Sequence, residues 1–134
     1  MRYPRESNNG LWTKFDEPIN FVAANQVGYS GFIVGMKSHH DNNKEDRSFI
    51  FYFTTIDSRK WEINNCSWEK MNRWDEDMDF RLSRDQVLGG IKSKHDNSKE
   101  DRMWSAYVCD MKKKSGGNQT LNLESHIFGM LHLC

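Results

Sequence analysis

Apolar residues in this chain gather in short runs that are rich in aromatic and β-branched side chains and are bounded by glycine or by polar turns. The clearest run follows Arg47 and reads "SFIFYFTTI", without the apolar spacing of a helix. The stretch "FIVGMKS" before that turn and "MWSAYVCDM" after Arg102 have the same character. Runs of this kind are typical of β-strands rather than amphipathic helices. The pattern therefore predicts an all-β fold.

A charged segment between these runs occurs twice. "GMKSHHDNNKEDRSFIFY" begins at Gly35, "GIKSKHDNSKEDRMWSAY" begins 55 residues later at Gly90, and 11 of the 18 aligned residues are identical. The Asp-Asn pair in each copy favours a turn, because both residues tolerate left-handed backbone and hydrogen-bond to it. Each copy therefore predicts two strands joined by a charged turn. We expect one small domain of two similar β repeat units related by pseudo-two-fold symmetry.

The repeat also divides the chain. The predicted parts are repeat one (about 12–56), a connector (about 57–73), repeat two (about 74–111) and a C-terminal tail (about 112–134). The connector segment 59–74 is compatible with a short helix or with a loop and strand. Residues 120–134 are compatible with a final strand or an amphipathic helix, and the lysines at 112–114 with a solvated turn.

Composition narrows the class of protein. The chain has 134 residues, the size of one domain, and its 19 basic and 19 acidic residues give a net charge of +0. Nucleic-acid-binding proteins usually carry a basic excess, so we expect no nucleic-acid partner. No apolar run approaches the roughly 20 residues of a membrane span, so we expect none. The first ten residues lack the apolar core of a signal peptide.

The repeated motif supplies most candidate site residues, and we interpret it as structural. Its members are His40, Asp41, Asn42, Glu45, Asp46, Arg47 and Phe49 in the first copy and His95, Asp96, Asn97, Glu100, Asp101, Arg102 and Trp104 in the second. Each arginine can pair bidentately with an acid of its own turn or of the other unit. The Asp-Asn pair can bind backbone donors of the turn.

Two chemical alternatives for the motif are weaker. Its oxygen-bearing side chains could bind calcium, but the EF-hand spacing is absent and Lys44 and Lys99 lie inside the clusters. We therefore expect no cofactor, with calcium as the alternative. His40 and His95 could act as bases, but no recognisable nucleophile motif accompanies them. We expect no catalytic activity and no catalytic residues.

Exposed aromatic residues beside polar groups provide a different kind of candidate. An aromatic face can bind the C–H side of a sugar while polar groups bind its hydroxyls. The candidate ligand contacts are Trp12, Trp74, His39 and Lys94, of which the last two occupy equivalent repeat positions. They keep open a carbohydrate-binding agglutinin as an alternative function.

The chain contains three cysteines, Cys66, Cys109 and Cys134, without a C-x-x-C motif. This odd number is compatible with one disulfide and one free thiol in an oxidising compartment. The last residue, Cys134, could also pair with another chain, so self-association stays open.

The motif G-[MI]-K-S-x-H-D-N-x-K-E-D-R-x-[FW] resembles the repeat of the dermatopontin family over about residues 12–109. Its D-R-x-W core matches the segments that begin at Asp46 and Asp101. The resemblance implies an all-β, non-enzymatic, extracellular protein that binds proteoglycans, other matrix proteins and cells. The missing signal peptide leaves an intracellular location open.

We interpret the chain as a non-catalytic structural or adhesive module that assembles with other proteins or glycans in a matrix, coat or large complex. The alternatives are the agglutinin and an intracellular structural component of a large assembly.

Overall fold

A computed structural model describes residues 4–115, which form seven strands and one short 3-10 turn at Ser7–Gly10. The strands are β1 (Arg5–Glu6), β2 (Ile19–Val22), β3 (Gly31–Asp41), β4 (Asp46–Thr55), β5 (Trp61–Lys70), β6 (Gln86–Asp96) and β7 (Asp101–Lys113). They build a three-stranded sheet in the order β1-β4-β3 and a four-stranded sheet in the order β2-β6-β7-β5. All pairs are antiparallel, and the predicted all-β fold is confirmed. Within residues 4–115, no helix is long and apolar enough to cross a membrane.

The two copies of the repeat form two hairpins with the same register. In each hairpin the motif histidine lies opposite the motif arginine, and a β-bulge immediately precedes the motif glycine. Because a one-residue slip would reverse every side chain, equal register places equivalent side chains on equivalent faces. A two-fold axis that relates the whole units stays a prediction.

The motif aspartates build the hairpin turns. Asp41 Oδ1 accepts hydrogen bonds from the backbone N–H groups two and three residues later, at 2.8 and 3.3 Å, and Asp96 Oδ1 does the same at 2.8 and 3.2 Å. Each turn then ends on a glutamate in the left-handed region, Glu45 and Glu100, both with φ of 51°. The repeated Asp-Asn letters therefore specify this turn, as expected of Asx chemistry.

The core lies where side chains of both hairpins meet. The aromatic residues that follow the two motif arginines, Phe49 and Trp104, pack edge to face with ring centroids 4.9 Å apart. Phe51 and Ile91, one from each hairpin, are fully buried beside them. Equivalent positions of the two copies thus contact each other across the core, which ties the hairpins into one unit.

Two expectations outside the repeats are corrected by the structure. Of the two alternatives for residues 59–74, the loop and strand is confirmed and the helix is wrong, because Trp61–Lys70 forms β5 and pairs with β7. The solvated turn expected at the lysine run is also wrong, because Lys112 and Lys113 are the last residues of β7 and lie opposite Glu62 and Trp61. The expectation for residues 120–134 lies outside the described residues.

A disulfide joins Cys66 of β5 to Cys109 of β7, with Cα atoms 4.0 Å apart. Cys66 sits in the irregular stretch between Asn64 and Ser67, where the register of the two strands shifts. Cys109 is fully buried in the smaller of the two core clusters. The covalent bond therefore attaches the edge strand β5 to the centre of its sheet.

Candidate functional site

A buried ion pair connects the tips of the two hairpins. Arg102 of the second motif donates from Nε to Asp46 Oδ1 and from Nη2 to Asp46 Oδ2 of the first, both at 2.7 Å. Its Nη2 also donates to the Glu17 carbonyl at 3.0 Å, and Nη1 donates to Ser93 Oγ at 3.4 Å. Both charged side chains are about 95% buried, with 5% and 3% exposure. The motif thus joins the repeats through a bidentate pair.

The ion pair changes the acidity of Asp46. Burial by itself raises the pKa of this carboxyl. Hydrogen bonds from Arg102 and from the backbone N–H groups of Asp16 and Arg47 stabilise the carboxylate and bring the pKa below its ordinary value. Asp46 is therefore ionised at neutral pH and balances the charge of Arg102.

Each motif aspartate is anchored by a second aspartate from its own unit. The backbone N–H of Asp16 donates to Asp46 Oδ2 at 2.8 Å, and that of Asp75 donates to Asp101 Oδ2 at 2.6 Å. Asp16 and Asp75 both have left-handed backbone, with φ of 61° and 58°. Aspartate tolerates this region better than most residues, which explains the acid after each aromatic residue.

The two equivalent arginines have different environments. Arg102 is buried, whereas the side chain of Arg47 is exposed and, among residues 4–115, donates to Ser38 Oγ alone, at 3.1 Å. Asp101 is half-buried, and within residues 4–115 no ion pair joins it to Arg47. Of the two reciprocal pairs that the repeat could make, one forms and the other does not.

The unformed pair borders a cavity of about 330 Å³ between the hairpin tips, here called the hairpin pocket. Ten of the predicted motif residues line it: His40, Glu45, Asp46, Arg47, Phe49, His95, Glu100, Asp101, Arg102 and Trp104. The other four, Asp41, Asn42, Asp96 and Asn97, lie outside its lining and belong to the turn segments. The residues predicted as scaffold therefore also enclose a cavity.

Residues that sequence reasoning missed complete this pocket. Asn72, Glu76 and Asp77 come from the segment between β5 and β6 and also line it. Asn72 Oδ1 accepts from the Trp104 backbone N–H at 2.8 Å, and its Nδ2 donates to the Arg102 carbonyl at 3.0 Å. The acidic run after Trp74 was the available signal, but the sequence does not indicate that this segment folds back on β7.

His95 is buried at the edge of this arrangement. Its side chain is 2% exposed, and Nδ1 lies 3.2 Å from Asp16 Oδ1 without the alignment of a hydrogen bond. Ligand atoms of Asp16, Asp46 and His95 all lie within 4.8 Å of one another, as a metal site would require. However, both oxygens of Asp46 already accept from Arg102, whose fixed positive charge opposes a cation there. The geometry favours a structural joint, and the expected lack of a cofactor stays a prediction.

The structure brings two of the four candidate ligand contacts together. Trp12 is 41% exposed and packs edge-on against His39, with ring centroids 4.5 Å apart. Lys37 Nζ lies 5.4 Å from the centre of the Trp12 ring. Lys94 is exposed on β6, and Trp74, which precedes Asp75 in the chain, is half-buried. A role for any of the four in ligand binding stays a prediction.

A second exposed aromatic site was missed from the sequence. Trp68 on β5 packs against Tyr107 with ring centroids 4.8 Å apart, and Lys92 Nζ lies 4.2 Å from its ring centre. Alternation along a strand places Trp68 on the face opposite its neighbours, but the sequence left residues 59–74 open between a helix and a strand and so did not fix that face.

Comparison with known proteins agrees with the repeat motif. The dermatopontin family model matches residues 2–113. The chain belongs to the dermatopontin family. The resemblance found at the motif is therefore confirmed, and the match reaches beyond residues 12–109 at both ends.

Three curated proteins are similar to the chain in sequence. The chain is 37% identical over 81 residues to the hemagglutinin/amebocyte aggregation factor of Limulus polyphemus, covering 60% of this chain and 47% of the relative. It is 29% identical over 103 residues to dermatopontin of Biomphalaria glabrata, covering 77% of this chain and 66% of the relative. It is 27% identical over 95 residues to Millepora cytotoxin-1 of Millepora dichotoma, covering 71% of this chain and 40% of the relative. The chain thus spans 40% to 66% of the length of these relatives. No solved structure gives a significant match.

Proposed function

We propose that this chain is a non-catalytic adhesive module that binds other proteins or glycans outside the cell. The observation that carries this proposal is the buried bidentate pair between Arg102 and Asp46. It commits the charged side chains of Arg102 and Asp46 to holding the two hairpins together. The cavity between the repeats is then a candidate recognition site.

The family context supports adhesion. One relative is named a hemagglutinin and an aggregation factor, and both words describe the joining of cells. Another is named a cytotoxin, so the family scaffold carries more than one activity. We infer binding to a cell or matrix surface as the shared element, with proteins or glycans as partners.

An extracellular location follows from this proposal and has independent support. The disulfide between Cys66 and Cys109 is of the kind that forms and persists in oxidising compartments. Small extracellular domains use such bonds to supplement a limited core.

A carbohydrate-binding agglutinin is the second candidate. The exposed Trp12 beside His39 and Lys37 combines an aromatic surface with polar groups, as sugar recognition requires. His39 and Lys37 of this patch lie on β3, Trp12 comes from the segment before β2, and none of the three lines the hairpin pocket.

The experiment is adhesion of protein-coated beads to fixed erythrocytes, because many copies on one bead compensate for weak single contacts. We expect the coated beads to bind cells, unlike beads that carry albumin or the reduced and alkylated chain. Loss of adhesion after periodate oxidation, together with inhibition by free sugars, would support the agglutinin. Loss only after trypsin treatment of the cells would support a protein partner. Adhesion no stronger than that of the albumin beads, on erythrocytes and on a collagen-rich matrix alike, would overturn the proposal.

A further inference from the structure

We propose that the hairpin pocket binds the guanidinium group of an arginine side chain on a partner protein. The proposal rests on the proposed function in one respect, since it assumes that the module recognises proteins. The chain already forms one contact of this kind, because Asp46 binds the guanidinium group of Arg102.

The filled site shows what Asp101 lacks. Asp46 accepts one backbone N–H, from Asp16, and both guanidinium bonds of Arg102. Asp101 accepts the equivalent backbone N–H, from Asp75, but within residues 4–115 no cationic side chain lies at ion-pair distance from it. Asp101 thus occupies the repeat position of Asp46 but, among the described residues, has no guanidinium group bound to its carboxylate.

The chain's own arginine does not fill this position. Arg47 donates to Ser38 as Arg102 donates to Ser93, so each arginine reaches the equivalent serine on the neighbouring strand of its own hairpin. Arg47 nevertheless remains exposed and lines the hairpin pocket instead of closing it. The space between Arg47 and Asp101 is therefore open to a ligand.

The charge of the pocket favours a cation. Apart from Asp46, which Arg102 neutralises, five carboxylates line the cavity: Glu45, Glu76, Asp77, Glu100 and Asp101. Arg47 is the one arginine of the lining that is not engaged with a carboxylate. Five carboxylates against one unpaired arginine leave an excess of negative charge in this concave site. Such a site attracts cations, so sulfated or sialylated glycans are disfavoured.

The remaining lining fits a flat, multiply donating group. His95 lines the cavity with a side chain that is 2% exposed, and neither ring nitrogen has a hydrogen-bond partner. Phe49 and Trp104 provide an apolar wall, against which a guanidinium packs better than an ammonium does. The volume of about 330 Å³ lies at the lower end for ligand pockets, as suits one side chain.

The test is an NMR titration of the full chain, disulfide intact, with N-acetyl-arginine amide. The matched probes are N-acetyl-citrulline amide, which has the same shape without the charge, galactose, and a chondroitin sulfate disaccharide. We expect the arginine probe to shift resonances of the pocket residues with a Kd in the range of about 1–10 mM, and the citrulline probe to bind at least about tenfold more weakly.

Three variants make the test specific. Asp101→Asn keeps the acceptor for the Asp75 N–H and should weaken arginine binding about tenfold, and Glu100→Gln should weaken it severalfold. Arg47→Gln removes the competing cation and should strengthen binding. Asp57→Asn, which removes an acid paired with Arg59 outside this pocket, should leave binding unchanged.

The signs of these effects separate the outcomes. Equal binding of citrulline, weaker binding in Arg47→Gln, or preferential binding of either sugar would overturn the proposal. No pocket shifts with about 20 mM arginine probe would overturn it as well, since useful contacts are tighter than that. Bead adhesion that persists in that case would leave the proposed function standing. Arginine binding by a chain that fails the bead assay would instead contradict only the adhesive function.

Discussion

At the scale of single residues, Arg102 and Asp46 form the charged pair whose disruption should lower the free energy of unfolding most, because both side chains are buried. A buried pair is not strongly stabilising relative to apolar residues of the same volume, but removal of one partner leaves an unpaired charge in the interior. Arg47 follows the same Lys-Glu-Asp residues in the sequence as Arg102 but is exposed at the hairpin pocket. The two arginines are therefore matched test sites within one chain.

Arg102→Ala should lower the free energy of unfolding by about 3–5 kcal/mol, because Asp46 would remain buried without a counter-charge. Arg47→Ala should change it by less than about 0.5 kcal/mol, as expected of an exposed side chain with one hydrogen bond. Urea denaturation followed by tryptophan fluorescence measures both. Similar losses in the two variants would contradict the assignment of burial.

The lowered pKa of Asp46 predicts a specific dependence of stability on pH. A carboxyl whose pKa is lower in the folded state stabilises the fold above its unfolded pKa, and that contribution disappears as the pH falls through the folded pKa. The loss should begin below the ordinary aspartate pKa of about 3.9. Denaturation curves measured from about pH 7 to about pH 2 give the free energy of unfolding at each pH. This free energy should fall more steeply with acidification in the unmodified chain than in Asp46→Asn. Parallel profiles would exclude Asp46 as the cause.

At the scale of elements, the strands of the two hairpins were predictable from the sequence, whereas the strands β1 and β5 that pair with them were not. Apolar runs and Asp-Asn turns are local signals, so β3, β4, β6 and β7 could be placed from the sequence alone. The strand β1 has two residues, too few for a recognisable pattern, and β5 mixes Trp, Asn and Glu without regular alternation. Its assignment depends on pairing with β7, which is tertiary information.

The different neighbours of β3 and β6 predict opposite results at equivalent glycines. A Cβ at Gly90 would lie 3.0 Å from the Phe21 carbonyl oxygen and 3.1 Å from the Val22 Cα, since β2 covers this part of β6. A Cβ at Gly35 would meet nothing within 4 Å, because β3 is an edge strand.

Gly90→Ala should therefore destabilise the protein by about 1–3 kcal/mol through forced backbone shifts. Gly35→Ala should be neutral or slightly stabilising, because alanine restricts the unfolded chain more than glycine does. Thermal unfolding followed by circular dichroism compares the two. A larger loss in Gly35→Ala would mean that the strand order of the two sheets is wrong.

At the scale of the whole molecule, the candidate site arises from the packing of the repeats. Both copies contain the same Asp-Arg letters, so the sequence predicts that pairing is available but not which arginine meets which aspartate. That choice depends on how the sheets lie and on the segment from Asn72 to Asp77 that folds over the second hairpin. The motif could therefore be named as a set of residues from the sequence, whereas the hairpin pocket required the tertiary structure.

The disulfide provides the last prediction at this scale, because it connects positions 43 residues apart in the chain. A cross-link of this length restricts the unfolded chain and should contribute about 2–4 kcal/mol to stability. The comparison uses the chain with Cys134→Ser against the same chain with Cys66→Ala and Cys109→Ala added, so that no third thiol can exchange.

Reductant should lower the urea midpoint of the first protein towards that of the second and leave the second unchanged. An unchanged midpoint in the first protein would mean that Cys66 and Cys109 are not joined. Without the covalent bond, β5 would be attached only by its backbone pairing with β7 and by the packing of side chains such as Ile63 and Trp68. Faster amide hydrogen exchange along β5 than along β6 in the triple variant would locate that loss at the edge strand.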